Sequence, residues 1–130
     1  MLEEFAQRVR DRSGMEVRLR LDETARMPRL QERELWRIAQ EAIVNAERHS
    51  HGSRIDVFWL SNGKEAVMEV RDNGSGLPVG AAGRMDSYGM LGMRERAASI
   101  GAKLAVGSIP REGVTVRVSL RSAPDSAAAL

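Results

Sequence analysis

The stretch ELWRIAQEAIVNAERH, Glu34 to His49, decides how this chain is read. At about 100° per residue, Leu35, Ile38, Ala39, Ala42, Ile43 and Ala46 fall on one flank of a helix, the apolar stripe of a core-facing element. Glu34, Arg37, Glu41, Asn45 and Arg48 recur at spacings of three and four and share the adjoining flank. Asn45 and His49 lie where the two flanks meet. A carboxylate, an amide and an imidazole along a buried margin mark a helix that serves a site. It is expected to run from about Leu30 to Ser50, with His51-Gly52 ending it.

Upstream, Leu2 to Arg12 places Leu2, Phe5, Ala6 and Val9 at helical spacing, and Ser13-Gly14 stops that helix. Met15 to Leu21 alternates, with Met15, Val17, Leu19 and Leu21 inward and Glu16, Arg18 and Arg20 outward, the pattern of a half-buried strand. Asp22 to Arg29 reads as a connector. Downstream, Arg54 to Leu60 and Glu65 to Asp72 read as strands joined by Ser61-Asn62-Gly63-Lys64, and Asn-Gly is a strong hairpin signal. Alternation sends Ala66, Met68, Val70 and Asp72 to one side, so a carboxylate leaves the strand pointing the way the core does.

Asn73 to Tyr88 is rich in glycine, holds Pro78 and has no periodicity; loops of that length are often functional. A third helix is expected from Gly89 to Ile100, then strands Lys103 to Ser108 and Val114 to Leu120. In the last, Val114, Val116, Val118 and Leu120 face inward. The Ala- and Ser-rich residues Ser122 to Leu130 are expected to fray. The fold class is therefore α+β, a two-layer α/β sandwich with three helices on one face of a mixed five-stranded sheet. Residues 1–121 form the domain and 122–130 a disordered tail.

Bulk properties exclude several classes. At 130 residues, 42% apolar and 29% charged, the chain has the size and composition of a single soluble domain. No apolar run approaches the ~20 residues of a membrane span, and no secretory signal opens the chain. Without cysteine there is no disulfide scaffold and no thiolate metal site, which suits a cytoplasmic location. The net charge is only +2, arginines alternate with Asp and Glu, and aromatics are 4%, which argues against a nucleic-acid face.

Three groups of residues carry chemistry. Glu41 and Asn45, one turn apart, present a carboxylate and an amide oxygen to one small volume, suited to Mg²⁺ and to a nearby nucleophile. On spacing alone, a solvated face with an Arg37–Glu41 pair is the favoured reading. In Asp72-Asn73-Gly74-Ser75-Gly76, an inward carboxylate accepts hydrogen bonds and donates none, so it selects an amino group such as that of adenine. Gly74 and Gly76 allow backbone to approach a flat ligand. Ser87-Tyr88-Gly89-Met90-Leu91-Gly92 is a glycine-rich entry to a helix N-terminus, a natural phosphate site.

Together, EAIVNAERH from Glu41, DNGSG from Asp72 and GMLGMRER from Gly89 resemble the N, G1 and G2 boxes of the ATPase superfamily of chaperones, gyrases, histidine kinases and mismatch-repair proteins. The Gln40-Glu41-Ala42 and Gly92-Met-Arg-Glu-Arg96 variants are similar to the catalytic domain of sensor histidine kinases that pair with regulators of the nitrate/nitrite-response type. The resemblance covers about Phe5 to Leu120 and implies the Bergerat ATP-binding fold, with ATP and Mg²⁺ as cofactors. It implies Asn45 as the metal ligand, Glu41 as the residue activating a phosphoacceptor, and Asp72 as the reader of adenine above Gly74 and Gly76. Arg48 would lie near the phosphates and His49 beside it toward the nucleotide, a satisfied boundary histidine being the equal alternative for His49. Asn73 to Tyr88 would form a lid, and Gly89 and Gly92 its hinge. Leu77, Tyr88, Met90 and Leu91 would complete the nucleotide contacts.

The implied partners are the phosphoacceptor dimerisation helices of a parent kinase and, through them, a response regulator. No nucleic acid or membrane contact by this domain is implied. Two departures stand out. The family usually starts its last strand with Gly-Thr, whereas here Gly113 is followed by Val114, and Thr115 faces outward. Nor does the chain hold a phosphoacceptor histidine of its own, since His49 and His51 both belong to the nucleotide domain; it reads as a module of a longer protein. A serine kinase of the anti-sigma type and a non-enzymatic nucleotide-sensing or docking module are the rival readings.

Overall fold

The computed structural model describes residues 2–76 and 89–121. In chain order these form α1 (Leu2–Ser13), β1 (Glu16–Ala25), α2 (Arg29–His49), β2 (Arg54–Asn62), β3 (Glu65–Asp72), α3 (Met90–Ser99), β4 (Lys103–Ile109) and β5 (Gly113–Arg121). The strands make one sheet in the order β1-β2-β3-β5-β4. The β1–β2 pair is parallel and the other three are antiparallel, so the sheet is mixed as expected.

Register explains the layering. Leu19, Val57, Val70, Val116 and Val106 lie side by side in one cross-strand row, and Leu21, Trp59, Met68, Val118 and Leu104 in the next. Because side chains alternate, both rows share one face. The apolar stripe of α2 (Leu35, Ile38, Ala39, Ala42, Ile43 and Ala46) is wholly buried and supplies the middle of the helical layer. Each Leu or Ile so buried contributes about 1.5–3 kcal/mol. The opposite face of the sheet carries Arg18, Arg20, Asp56, Phe58, Glu69, Arg71 and Arg117, with Arg20 stacked 5.6 Å from the Phe58 ring centroid.

The helix α1 is fastened to the edge strand β1, where the Arg10 guanidinium donates to Val17 O, and to α2. Phe5 meets Trp36 edge to face at 5.5 Å, and Arg12 grips Glu47 through two hydrogen bonds of 2.7 and 2.8 Å. In the β2–β3 hairpin Gly63 sits at φ +87°, while Asn62 Oδ1 accepts the N–H groups of Lys64 and Glu65. The Asn-Gly signal works through both residues.

One element departs from the sequence reading. β1 does not stop at Leu21: Asp22 and Glu23 continue the pairing, opposite Leu60 and Ser61, and Ala25 lies opposite Asn62 after a register shift. Backbone pairing set this length; the polarity of Asp22 and Glu23 reflects an edge strand open to water. For the same reason Leu21, although on the inward row, is 44% exposed. The buried Ser61 hydroxyl donates to Ala25 O at 2.6 Å and fixes the extended end.

Met68, fully buried at the sheet centre, gives the simplest test. Met68→Ala should cost about 2–5 kcal/mol in urea unfolding, whereas Arg20→Ala, on the open face, should stay within about 0.5–1 kcal/mol.

Candidate functional site

The site grows from the end of β3. Asp72 is 5% exposed, and its Oδ1 accepts hydrogen bonds from Gly74 N at 2.9 Å and Val114 N at 3.3 Å. Both bonds fall on Oδ1; among the described residues Oδ2 receives none. Burial raises the Asp72 carboxyl above its ordinary value, and the two backbone N–H groups oppose that rise without cancelling it.

Two glycines let neighbouring chain reach this strand end. Gly113 has φ +111°, and a Cβ there would lie 2.0 Å from Asp72 O, so β5 can start across the strand end only with glycine. A Cβ on Gly74 would lie 2.1 Å from Ser50 O. Ser75 N donates to that same Ser50 carbonyl at 2.8 Å, and Asn73 Oδ1 accepts from Ser53 N and Arg54 N, both at 2.9 Å. The turn after Asp72 is thus knitted to the C-terminus of α2.

A cleft lies between this turn, α2 and the start of α3. Its polar wall is Asn45, His49 and Asp72; its apolar wall includes Ala42, Met90 and Val114. Gly76, at φ +82°, borders it. Thr115 is turned to the other face, beside Arg71 and Gly107, as alternation predicts. A second, more open cleft lies between α1, α2 and α3, and Arg37, Gln40, Glu41, Gly89, Gly92 and Arg96 line it.

The structure therefore brings Asn45, His49, Asp72, Gly76 and Met90 to one cleft, and Glu41, Gly89 and Gly92 to the other. Glu41 and Asn45, read as sharing one volume, line different clefts: four residues rise about 6 Å along the axis and turn about 40° beyond a full turn, which sets them to either side of the α3 N-terminus. A Cβ on Gly89 would lie 2.2 Å from Glu41 Oε1, so backbone rests directly on that carboxylate. Among the described residues Glu41 forms no ion pair, with Arg37 or otherwise. Gly74 is used in packing and does not line the first cleft; Arg48 and Leu91 are exposed and line neither. Leu77 and Tyr88 lie outside the described residues.

Sequence reasoning missed the parts played by four residues. Val114 N and Gly113 hold Asp72, and the only signal was the Gly113-Val114 pair at a strand start. Ser50 supplies the carbonyl that Gly74 and Ser75 pack on, and nothing local announced that contact. Arg96 donates to Glu34 Oε1 at 2.9 Å, joining α3 to α2.

Metal fit can be judged from the donors. Among the described residues no three His, Cys, Asp or Glu side chains gather as a cage. A hard cation that keeps water and takes phosphate oxygens needs only one or two protein oxygens, and Asn45 in the cleft wall meets that need.

A five-stranded mixed sheet under three helices, with a buried carboxylate beside a glycine-framed helix N-terminus, defines a nucleotide-binding sandwich of the ATPase type. The family model for "Histidine kinase-, DNA gyrase B-, and HSP90-like ATPase" matches residues 30–124, and the chain belongs to that family. Sensor protein VraS of Staphylococcus aureus (strain COL) is 38% identical over 93 residues, covering 72% of this chain and 26% of VraS. VraS of Staphylococcus haemolyticus (strain JCSC1435) matches to the same extent. The chain thus spans about a quarter of the length of these curated relatives. The fold is shared with the blue-light activated histidine kinase of Erythrobacter litoralis EL346, at a TM-score of 0.76 and 16% identity over 97% of this chain and 42% of that one. The Acinetobacter baumannii histidine kinase AdeS gives 0.68 at 13% identity, over 94% and 63%.

The raised Asp72 carboxyl has a stability consequence. The folded chain holds that proton more tightly than the unfolded one, so the contribution is fully present below the unfolded value of about 3.9 and is lost as pH rises through the higher folded value. Asp72→Asn keeps an Oδ1 acceptor for Gly74 and Val114 but cannot ionise. Urea melts across that window should show wild type losing stability relative to Asp72→Asn as pH rises from about 4 towards neutrality.

Proposed function

We propose that this domain binds Mg²⁺–ATP in the first cleft and presents the γ-phosphate to a histidine on a dimerisation helix of its parent kinase, in two-component signalling. The observation that carries the reading is Asp72, buried at the cleft floor with Oδ1 tied to backbone and Oδ2 left for a ligand. A carboxylate oxygen accepts the exocyclic amine of adenine and repels the carbonyl of guanine. Met90 and Val114 offer apolar contact to the ring, and Gly76 brings backbone close to it.

The phosphates would extend toward the start of α3, where Gly89, Met90, Leu91 and Gly92 supply N–H groups at the positive end of the helix. Asn45 would hold the metal, whose charge offsets that of the phosphates. His49 lies on the same wall, and Arg48 would reach the phosphates from the exposed side of α2. Leu77 and Tyr88 would contribute from the lid. Glu41, in the adjoining cleft, would orient the incoming imidazole and take its N–H proton while the other ring nitrogen attacks phosphorus. The N–P bond forms as the bond to the β-phosphate oxygen breaks, and ADP leaves with the electron pair. The protein's share is positioning and charge neutralisation.

In this reading residues 1–121 are the working domain. The acceptor helix is the direct protein partner, and a response regulator of the nitrate/nitrite-response type receives the phosphoryl group afterwards. The domain works on the cytoplasmic side, with a parent that is membrane-anchored or free. No helix among the described residues is long and apolar enough to cross a membrane. Val114 favours a second reading, a module that senses nucleotide without transferring phosphate, because valine cannot support a water beside Asp72 as a threonine hydroxyl would.

Calorimetric titration separates the readings. ATP with Mg²⁺ should bind, GTP should bind more weakly, and Asp72→Asn should lose roughly 10- to 150-fold, the worth of one charge-assisted hydrogen bond of about 1.5–3 kcal/mol. Absence of ATP binding by wild type would sink the proposal. In the parent kinase, Glu41→Gln should leave ATP affinity intact and slow histidine phosphorylation by about 10²- to 10⁴-fold. An unchanged transfer rate would remove Glu41 from the mechanism, and absence of transfer by wild type would favour the sensing module.

A further inference from the structure

The short helix α3 forms a wall of both clefts, yet little in its own sequence fixes where it sits. Its buried residues are Met90, Met93 and Ala97. Methionine is flexible and fits many surroundings, and alanine is small, so this apolar face tolerates sliding along α2. The N-cap is Gly89 in the left-handed region, with no side-chain cap hydrogen bond to anchor it. A Cβ on Gly92 would meet nothing within 4 Å.

Two contacts against α2 are directional. Arg96 Nη1 donates to Glu34 Oε1 at 2.9 Å, with Glu34 largely shielded at 14% side-chain exposure and Arg96 at 39%. Gly89 rests on the Glu41 carboxylate. Glu34 and Glu41 are two turns apart on α2, and Gly89 and Arg96 are separated by the same interval along the chain and run the other way. Two helices in antiparallel contact therefore meet at two points spaced by about 10 Å on each. Among the described residues, Glu34–Arg96 is the one ion pair that joins these helices.

We infer that the Glu34–Arg96 pair is a register latch: it sets α3 along α2 so that Gly89 lies against Glu41 and Met90 closes the first cleft. This rests on the nucleotide reading of that cleft, but the latch acts on α3 whether or not nucleotide is bound. Slippage by one residue would move the N-terminus of α3 by about 1.5 Å. The helix N–H groups would lose their aim, and Met90 would leave the cleft wall. Arg96 and Glu34 are thus positioning residues, acting through Gly89 and Met90.

The test uses the chain with ¹³C-methyl methionine, read first without nucleotide and then with Mg²⁺–ATP. Arg96→Met keeps an apolar stem and removes the charge; the swap Glu34→Arg with Arg96→Glu restores a pair of opposite sense. Arg96→Met should shift or broaden the Met90 and Met93 methyl signals in the free chain. It should also weaken Mg²⁺–ATP by about three- to tenfold, chiefly through faster dissociation, with the preference over GTP unchanged. The swap should recover at least half of both effects. Unmoved methyl signals and unchanged affinity, even with a lower melting temperature, would reduce the pair to a structural contact and overturn the latch. Moved signals that the swap fails to restore would mean that Arg96 acts by another route, which overturns it equally. If wild type binds no ATP, the nucleotide reading falls separately, and the methyl signals of the free chain alone decide the latch.

Discussion

The structure depends on one carboxylate oxygen. Asp72 Oδ1 takes the N–H of Gly74, which turns the chain back on α2, and the N–H of Val114, which starts β5. Three segments distant in sequence meet there, and two of them pass only because Gly74 and Gly113 lack a Cβ. A buried acid in so crowded a place costs stability unless it is satisfied. Its partial satisfaction, on one oxygen and not the other, is what leaves an acceptor for a ligand. The same residue therefore joins the strand end to its neighbours and, in the proposed reading, supplies the recognition atom.

Two clefts share the helix α2, and their separation arises from helix geometry. Residues one turn apart share a flank, yet four residues advance the helix by about 40° beyond a full turn. That rotation, with Gly89 lying against Glu41, is enough to place Asn45 on the side proposed for nucleotide and Glu41 on the other. A reaction that must hold a phosphate donor and admit an acceptor from a second element benefits from such a divide. In the proposed reading, donor and acceptor sides are then lined by different residues of one rigid rod, and neither has to be assembled by the other.

Much of this was legible in the chain. The 3.6-residue period of Leu35 to Ala46 and the alternation of Ala66 to Asp72 reported burial directly, because each follows one face of one element. Asn62-Gly63 reported its hairpin because turn chemistry is local. Contacts between elements were not legible. Nothing near Gly74 speaks of Ser50, nothing near Arg96 speaks of Glu34, and the spacing of Glu41 and Asn45 says nothing of a third helix between them. The end of β1 was misread because Asp22 and Glu23 resemble a loop by polarity, although an edge strand needs only backbone partners.

The parallel pairing of β1 with β2 has a consequence for how the chain acquires this shape. Ser61 finds Ala66 across a turn, but Glu16 reaches Arg54 only after the whole of α2 has been wound between them. Loop closure charges more for the second contact than for the first, and non-local pairings of this kind slow folding. The β2–β3 hairpin is thus the natural seed; β1 and β5, each paired across a long stretch of chain, join it later, and β1 docks only once α2 is seated. Until then the edge of β2 is bare, an unpaired strand of alternating Ile55, Val57 and Trp59, and the interval before α2 settles is when the chain is most exposed to joining another copy of itself.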